Sequence, residues 1–335
     1  MFADAGAAPA GVAAQAERVG KTLDRLGKTL RRLEPRLVLT IARGSSDHAA
    51  TYAKYLMETR LGVPVSSYAP SVSSVYRKTY SVPGAACLVI SQSGRSPDIL
   101  AAARSAKAGG AYVIALVNVE DAPLCDLADV VLTLCAHPEE SVAATKSFVA
   151  SLSMIARIVG AWTCEPGLAS ALDGLPDALE QAWALDWSPA LGVIAARPSL
   201  YVIGRGLGLS LAQEAALKFK ETCRLHAEAY SAAEVLHGPA AIIDHGFPVL
   251  AFSQNDETRR GLVSALDQLS GLGARVLIAG AACDLALALP SIAADPAVEP
   301  IIQAQSFYRM VNHLSVELGY NPDLPPHLSK VTETL

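Results

Sequence analysis

Three junctions in the sequence place small hydroxyl residues where an apolar strand gives way to a helix or a helix begins. Ser91-Gln92-Ser93-Gly94-Arg95-Ser96 follows the apolar run at 84–90, and Ser45 and Ser46 follow the run at 37–42. Ser141 to Thr145 precede a long helical pattern. The first turn of a helix leaves backbone N–H groups unpaired, and these attract an anion. Serine hydroxyls add donors, and Gly94 permits close backbone approach. Each serine could instead cap its own helix. Three such junctions in one chain point past capping to a phosphate or a similar anion, with Thr145 a candidate addition to the set. The pattern is neither a Walker loop nor the glycine-rich dinucleotide fingerprint, which argues against a nucleotide.

A second group of residues could move protons. Within Gln213–Glu221, spacings of four and three place Glu214, Lys218 and Glu221 on one side of a helix. A partly buried carboxylate there is suited to shifting a carbon-bound proton. The alternative is a surface ion-pair ladder, which is worth little. Further on stand His226, Glu228, Tyr230, Glu234 and His237. His237-Gly238-Pro239 reads as a loop, and a loop histidine is a fit acid–base group for opening a sugar ring, or else a purely structural one. His226 lies deeper in a helical pattern and is expected to be packed or hydrogen-bonded. The spacing of His226, Glu228 and His237 matches no zinc or facial-triad arrangement, so neither metal nor organic cofactor is expected. Lys330 is the lysine of a proline-rich, non-helical tail.

These residues need a scaffold, and the hydropathy pattern supplies one. A leucine-faced helix spans 12–35, and short Val/Ile/Leu strands at 37–42, 84–90, 111 onward and 129 onward alternate with helices, the last from about Thr145 to Trp162. That alternation predicts an α/β fold with a mostly parallel sheet covered on both faces. From residue 199 the pattern repeats. Arg43-Gly44 and Arg205-Gly206 lie 162 residues apart, as do Ser91-Gln92 and Ser253-Gln254. The chain therefore reads as two copies of one α/β unit. The expected layout is a helical segment 1–35, a first lobe 36–163, a helical connector 164–197, a second lobe 198–320 and an extended tail 321–335. The second copy carries Asn255-Asp256-Glu257 where the first has Ser93-Gly94-Arg95, and two acids there would repel the anion the first lobe attracts.

Composition agrees with a globular protein: 335 residues, 51% hydrophobic and 18% charged, with net charge −5. No basic cluster suggests nucleic acid, and no apolar run is long enough to cross a bilayer. The six cysteines show no paired metal-ligand spacing and read as reduced packing residues. The alanine-rich start has Asp4 where an export signal would be basic. A cytoplasmic location is expected.

Several stretches together resemble a known family. They are ARGSSDHA at 42–49, SQSGRSPD at 91–98, SVAATKSF at 141–148, ALKFKE at 216–221, HAEAYSAAEVLHGP at 226–239 and LSKVTET at 328–334. The chain is similar over nearly its whole length to the tandem sugar-isomerase (SIS) domains. These form the isomerase half of glucosamine-6-phosphate synthase and the stand-alone deaminases and phosphosugar isomerases. The resemblance implies that Ser45, Ser46, Ser91, Gln92, Ser93, Ser96 and Thr145, with a backbone contact near Val142, hold the phosphate and sugar. It implies that Glu221 shuttles a proton between C1 and C2, with Glu214 and Lys218 supporting the sugar end. It further implies that His237 assists ring opening from the partner subunit of a dimer, and that Lys330 can form an imine with the open ketose. Arg43 and Arg95 depart from the family's usual residues, and either brings positive charge toward a phosphate or faces solvent.

The isomerase-like pattern starts almost at residue 1 and the first cysteine is Cys87. The expectation is therefore a chain with no glutamine-cleaving domain, running the sugar chemistry in the ammonia-releasing direction. That makes it a deaminase of glucosamine 6-phosphate, giving fructose 6-phosphate and ammonia. The alternatives are an aldose–ketose isomerase, a deaminase of another amino sugar phosphate such as galactosamine 6-phosphate, or a non-catalytic sugar-phosphate-binding module.

Overall fold

The computed structural model describes residues 1–136 and 138–330, so the last five residues of the LSKVTET-containing tail lie outside the described residues. The chain divides into two compact units, each with its own five-stranded sheet. One unit comprises Ala10–Glu139, Lys146–Asp173 and the chain from Leu328. The other comprises Met1–Pro9, Glu140–Thr145 and Gly174–His327.

The first sheet contains β1 (Val38–Ile41), β2 (Val65–Ser67), β3 (Ala86–Ile90), β4 (Tyr112–Val117) and β5 (Val130–Thr133). Its order is β2-β1-β3-β4-β5, and every pairing is parallel. Every residue of β1 and β3 is buried. This is why β3 is an unbroken apolar run and β1 is apolar but for Thr40, neither alternating: a parallel sheet hides both faces under helices. On one face Ile41, Cys87, Val89 and Ala115 pack against Ile99, Ala102 and Ala106 of the Pro97–Ala108 helix.

The second sheet contains β6 (Ser199–Gly204), β7 (His226–Ser231), β8 (Pro248–Phe252), β9 (Arg275–Ala279) and β10 (Leu287–Leu289). Its order, β10-β9-β8-β6-β7, reproduces the winding of the first, again with parallel pairings throughout. In both sheets the second strand lies outside the first and the third lies on its other side. The strand order thus reverses between β1 and β3, and between β6 and β8. At such a reversal the two following loops diverge and leave a crevice beyond the carboxyl ends of the strands, where ligands of this fold class bind.

Three strands escaped the sequence reading, among them the three-residue edge strand β10. β2 has only three residues, and β7 (HAEAYS) is polar because it is an edge strand. His226 accordingly stands exposed at the start of β7, while its neighbour Ala227 is buried. The expectation of a packed histidine in a helix is corrected by the two-residue alternation of a strand. Cys164 is also exposed, unlike buried Cys87, Cys135 and Cys223, and so is not a packing residue. Among the described residues no helix is long and apolar enough to cross a membrane.

Candidate active site

The β1/β3 crevice holds a cavity of about 380 Å³. After β1 the chain turns at Gly44, whose φ of +54° is in the left-handed region, and enters the Ser45–Leu61 helix. Ser46 lines the cavity, while Ser45 sits beside it in the same first turn. After β3 the lining continues with Ser91, Gln92, Ser93 and Ser96. Ser96 stands at the start of the Pro97–Ala108 helix, yet its hydroxyl makes no capping hydrogen bond. The capping explanation for that serine therefore fails. Ser91 Oγ accepts the Gly94 N–H at 3.1 Å, which folds the loop back on itself. Gly94 has φ +61°, and a Cβ there would come within 2.6 Å of Ala122 Cβ.

Three charged groups reach the same space. Lys330 lines the cavity, its ammonium donating to Glu139 Oε2 at 3.1 Å. Glu139 is buried and also accepts from the Ser147 hydroxyl at 2.8 Å. Arg43 and Asp98 complete the lining. Asp98 went unnoticed in the sequence, because nothing in a Ser-Pro-Asp helix start announces a partner 55 positions earlier. Arg95 is not a lining residue; it lies within 3.5 Å of exposed Asp121.

The corresponding crevice in the second sheet is filled by the protein's own groups. Gln254, 1% exposed, donates through Nε2 to the Arg205 carbonyl at 2.7 Å, to Thr258 Oγ1 at 2.8 Å and to Asp256 Oδ2 at 3.0 Å. A Cβ on Gly208 would meet Gln254 Oε1 at 2.7 Å, so glycine there makes room for the amide. Asp256 Oδ1 accepts the Thr258 N–H at 2.9 Å, placing a carboxylate where the first lobe offers serines.

The other predicted residues belong to the unit that carries this second sheet. Glu214 and Lys218 of the Gly208–Cys223 helix are fully buried, and Glu221 is largely so. Lys218 Nζ lies 3.3 Å from Glu214 Oε1 and donates to Glu221 Oε2. Tyr308 of the Glu299–Glu317 helix donates its hydroxyl to Glu214 at 3.0 Å. This is no surface ladder. Burial alone would drive Lys218 toward the neutral amine, but the two carboxylates outweigh it and hold its pKa above the ordinary 10.5. Lys218 is thus a fixed cation, and Glu221 is a carboxylate held in one orientation by it.

His237 is exposed on the loop after β7, ahead of Gly238 at φ +125°. Its imidazole makes no hydrogen bond to Glu221. Val142 and Thr145 lie in the 140–145 segment of the same unit as Glu221. The Val142 N–H donates to the Asp323 carbonyl at 3.3 Å, and Asp4 accepts the N–H groups of Glu140 and Ser141 at 3.0 and 2.9 Å. Thr145 is buried. Among the described residues no group of three or more His, Cys, Asp and Glu is arranged to hold a metal ion.

Comparison with known proteins places this geometry in context. The model of the SIS domain matches residues 34–159 and 193–284. A glutamine–fructose-6-phosphate aminotransferase (isomerizing) of Methanothermobacter thermautotrophicus is 34% identical over 313 residues, covering 89% of this chain and 51% of that protein. The chain thus spans about half the length of the curated relatives it matches. A solved chain from Silicibacter pomeroyi DSS-3, provisionally assigned as a phosphosugar isomerase, is 41% identical with a TM-score of 0.93. The match covers 96% of this chain and 99% of that one. The C-terminal domain of a Francisella tularensis glucosamine-fructose-6-phosphate aminotransferase shares the fold at 24% identity, with a TM-score of 0.85 over 96% and 97% of the two chains.

Proposed function

The chain belongs to the SIS domain family; from that premise we propose that it moves a proton between adjacent carbons of a sugar phosphate. The cavity after β1 and β3 carries this reading: its hydroxyls and cationic groups suit a phosphate, while the matching place in the second sheet is occupied by Gln254 and Asp256.

In this account Ser45, Ser46, Ser91, Gln92, Ser93, Ser96 and Thr145, with a backbone group near Val142, hold the phosphorylated sugar. Glu221 removes the proton from C2, which the C1 carbonyl acidifies, and returns it to C1. Lys218 orients the carboxylate by donating to it, and Glu214 fixes Lys218. His237 assists ring opening from the second subunit of a dimer, and Lys330 serves the open ketose as an imine partner. With a plain sugar phosphate this sequence is aldose–ketose isomerisation. With a 2-amino sugar the same transfer gives a C2 ketimine; water adds to it, ammonia leaves and the ketose phosphate remains. Relatives named for isomerisation support the shared proton transfer better than any one substrate. Within that class, deamination of glucosamine 6-phosphate is the narrower proposal.

The test is a substrate panel on the purified protein: ammonia release from glucosamine 6-phosphate and galactosamine 6-phosphate, with isomerisation of fructose 6-phosphate alongside. Ammonia from the first identifies the narrow activity, and ammonia from the second alone changes the sugar. Isomerisation without ammonia selects the plain isomerase. Folded protein that turns over none of these while binding them is a sugar-phosphate-binding module, and the proposal fails. Sedimentation of the active protein as a monomer would remove the partner role of His237.

A further inference from the structure

From the geometry of the β1/β3 crevice we infer that Arg43, anchored by buried Asp98, is a phosphate clamp that sets specificity for sugars bearing a terminal phosphomonoester. The inference rests on the reading of the crevice as the phosphate site and deepens it.

Arg43 follows β1 and Asp98 lies in the first turn of the Pro97–Ala108 helix, so the two face each other across the strand-order reversal. Arg43 Nε donates to Asp98 Oδ2 at 2.9 Å. The Asp98 carboxylate is wholly buried, whereas the arginine side chain is 55% exposed, and both residues line the cavity. Asp98 Oδ1 accepts the Ile99 N–H at 2.8 Å. The carboxylate is therefore satisfied on both oxygens by protein groups, one of them Arg43.

Two consequences follow. First, a carboxylate buried beside an anion site would repel a phosphate, and Arg43 cancels that charge where it would do most harm. Second, the contact uses only Nε. The guanidinium carries five N–H donors in a rigid fork. With Nε spent on Asp98, the two Nη groups keep their four donors and make no hydrogen bond among the described residues, although the Asp47 carboxylate also feels the guanidinium's charge. A fork fixed at one end by a buried anion and free at the other is preorganised for the bidentate geometry that phosphate oxygens accept. Lysine cannot serve both ends, because its ammonium is a single point charge on a flexible stem. Asp98 acts through Arg43 and is a positioning residue.

Calorimetric binding of sorbitol 6-phosphate, a sugar phosphate with no carbonyl to react, tests the inference, with sorbitol as the phosphate-free control. The proteins are wild type, R43K, R43A, D98N and the R43A/D98N double variant. The expected result is a loss of roughly 10- to 100-fold in affinity for R43A and R43K. D98N should lose less, since the charge stays and only its aim is relaxed. R43A/D98N, which carries no unpaired buried carboxylate, should melt near wild type while still binding weakly, separating recognition from folding. Wild-type affinity in R43K and in a folded R43A/D98N would overturn the clamp and leave the phosphate site intact. Wild type that binds no sorbitol 6-phosphate would overturn both this inference and the functional reading beneath it.

Discussion

The Glu214–Lys218–Glu221 row joins stability to the proposed chemistry. Removing one partner of a buried ion pair strands the remaining charge, which typically costs about 3–5 kcal/mol. Lys218→Met should lower unfolding free energy by that order in a urea titration, because both buried carboxylates, Glu214 and Glu221, lose the ammonium beside them. The pH dependence has a definite sign. The folded-state pKa of Lys218 lies above 10.5, so its contribution is fully present below that value and is lost as pH rises through the folded pKa. The gap between wild type and variant should hold steady from pH 7 to 10 and close only above about 10.5. A gap that closes at neutral pH would show that Lys218 is not a fixed cation. The sequence placed the three residues on one helix face by spacing alone. It left open whether that face was wet, because burial depends on the Glu299–Glu317 helix some 90 positions away, which supplies Tyr308.

At the scale of elements, the loop after β3 is shaped by Gly94. Its positive φ and the 2.6 Å approach to Ala122 leave no room for a side chain. Gly94→Ala should cost roughly 1–3 kcal/mol through strain in the left-handed region and the clash. It should also weaken sugar-phosphate binding, since the Ser91 hydroxyl is bonded to the Gly94 N–H. Thermal melting with a binding titration measures both, and unchanged affinity in a destabilised variant would separate the loop from the site. The strands that position this loop were legible because β3 and β4 are continuous apolar runs and β1 is broken only by Thr40. β2, β7 and β10 were not, being short or polar edge strands whose pairing is a tertiary fact. Gln254 illustrates the same limit. Its alignment with Gln92 was readable, but its role as a plug follows from the glycine at 208 and the turn of Asp256 toward Thr258.

Over the whole molecule, duplication produced two sheets with one winding, and divergence left an open polar crevice after β1 and β3 while protein groups fill its counterpart. The repeat was visible as a constant offset between motifs, because conserved turn chemistry marks the ends of β1, β3, β6 and β8. The net charge of −5 does not oppose an anionic substrate, since recognition is local: backbone N–H groups, hydroxyls and one anchored guanidinium act at hydrogen-bond range. The Arg43–Asp98 pair shows where sequence reading stops, for it joins the loop after β1 to the helix that follows β3, which only the parallel pairing of β1 with β3 brings together. The central claim is that Glu221 moves a carbon-bound proton of a phosphosugar. It is tested most directly by NMR of deuterium entering C1 of fructose 6-phosphate in D2O, comparing wild type with Glu221→Gln. The account predicts exchange by wild type and a rate 10²–10⁴-fold lower in the variant, with affinity for the sugar phosphate retained. Exchange at the wild-type rate in Glu221→Gln would contradict it.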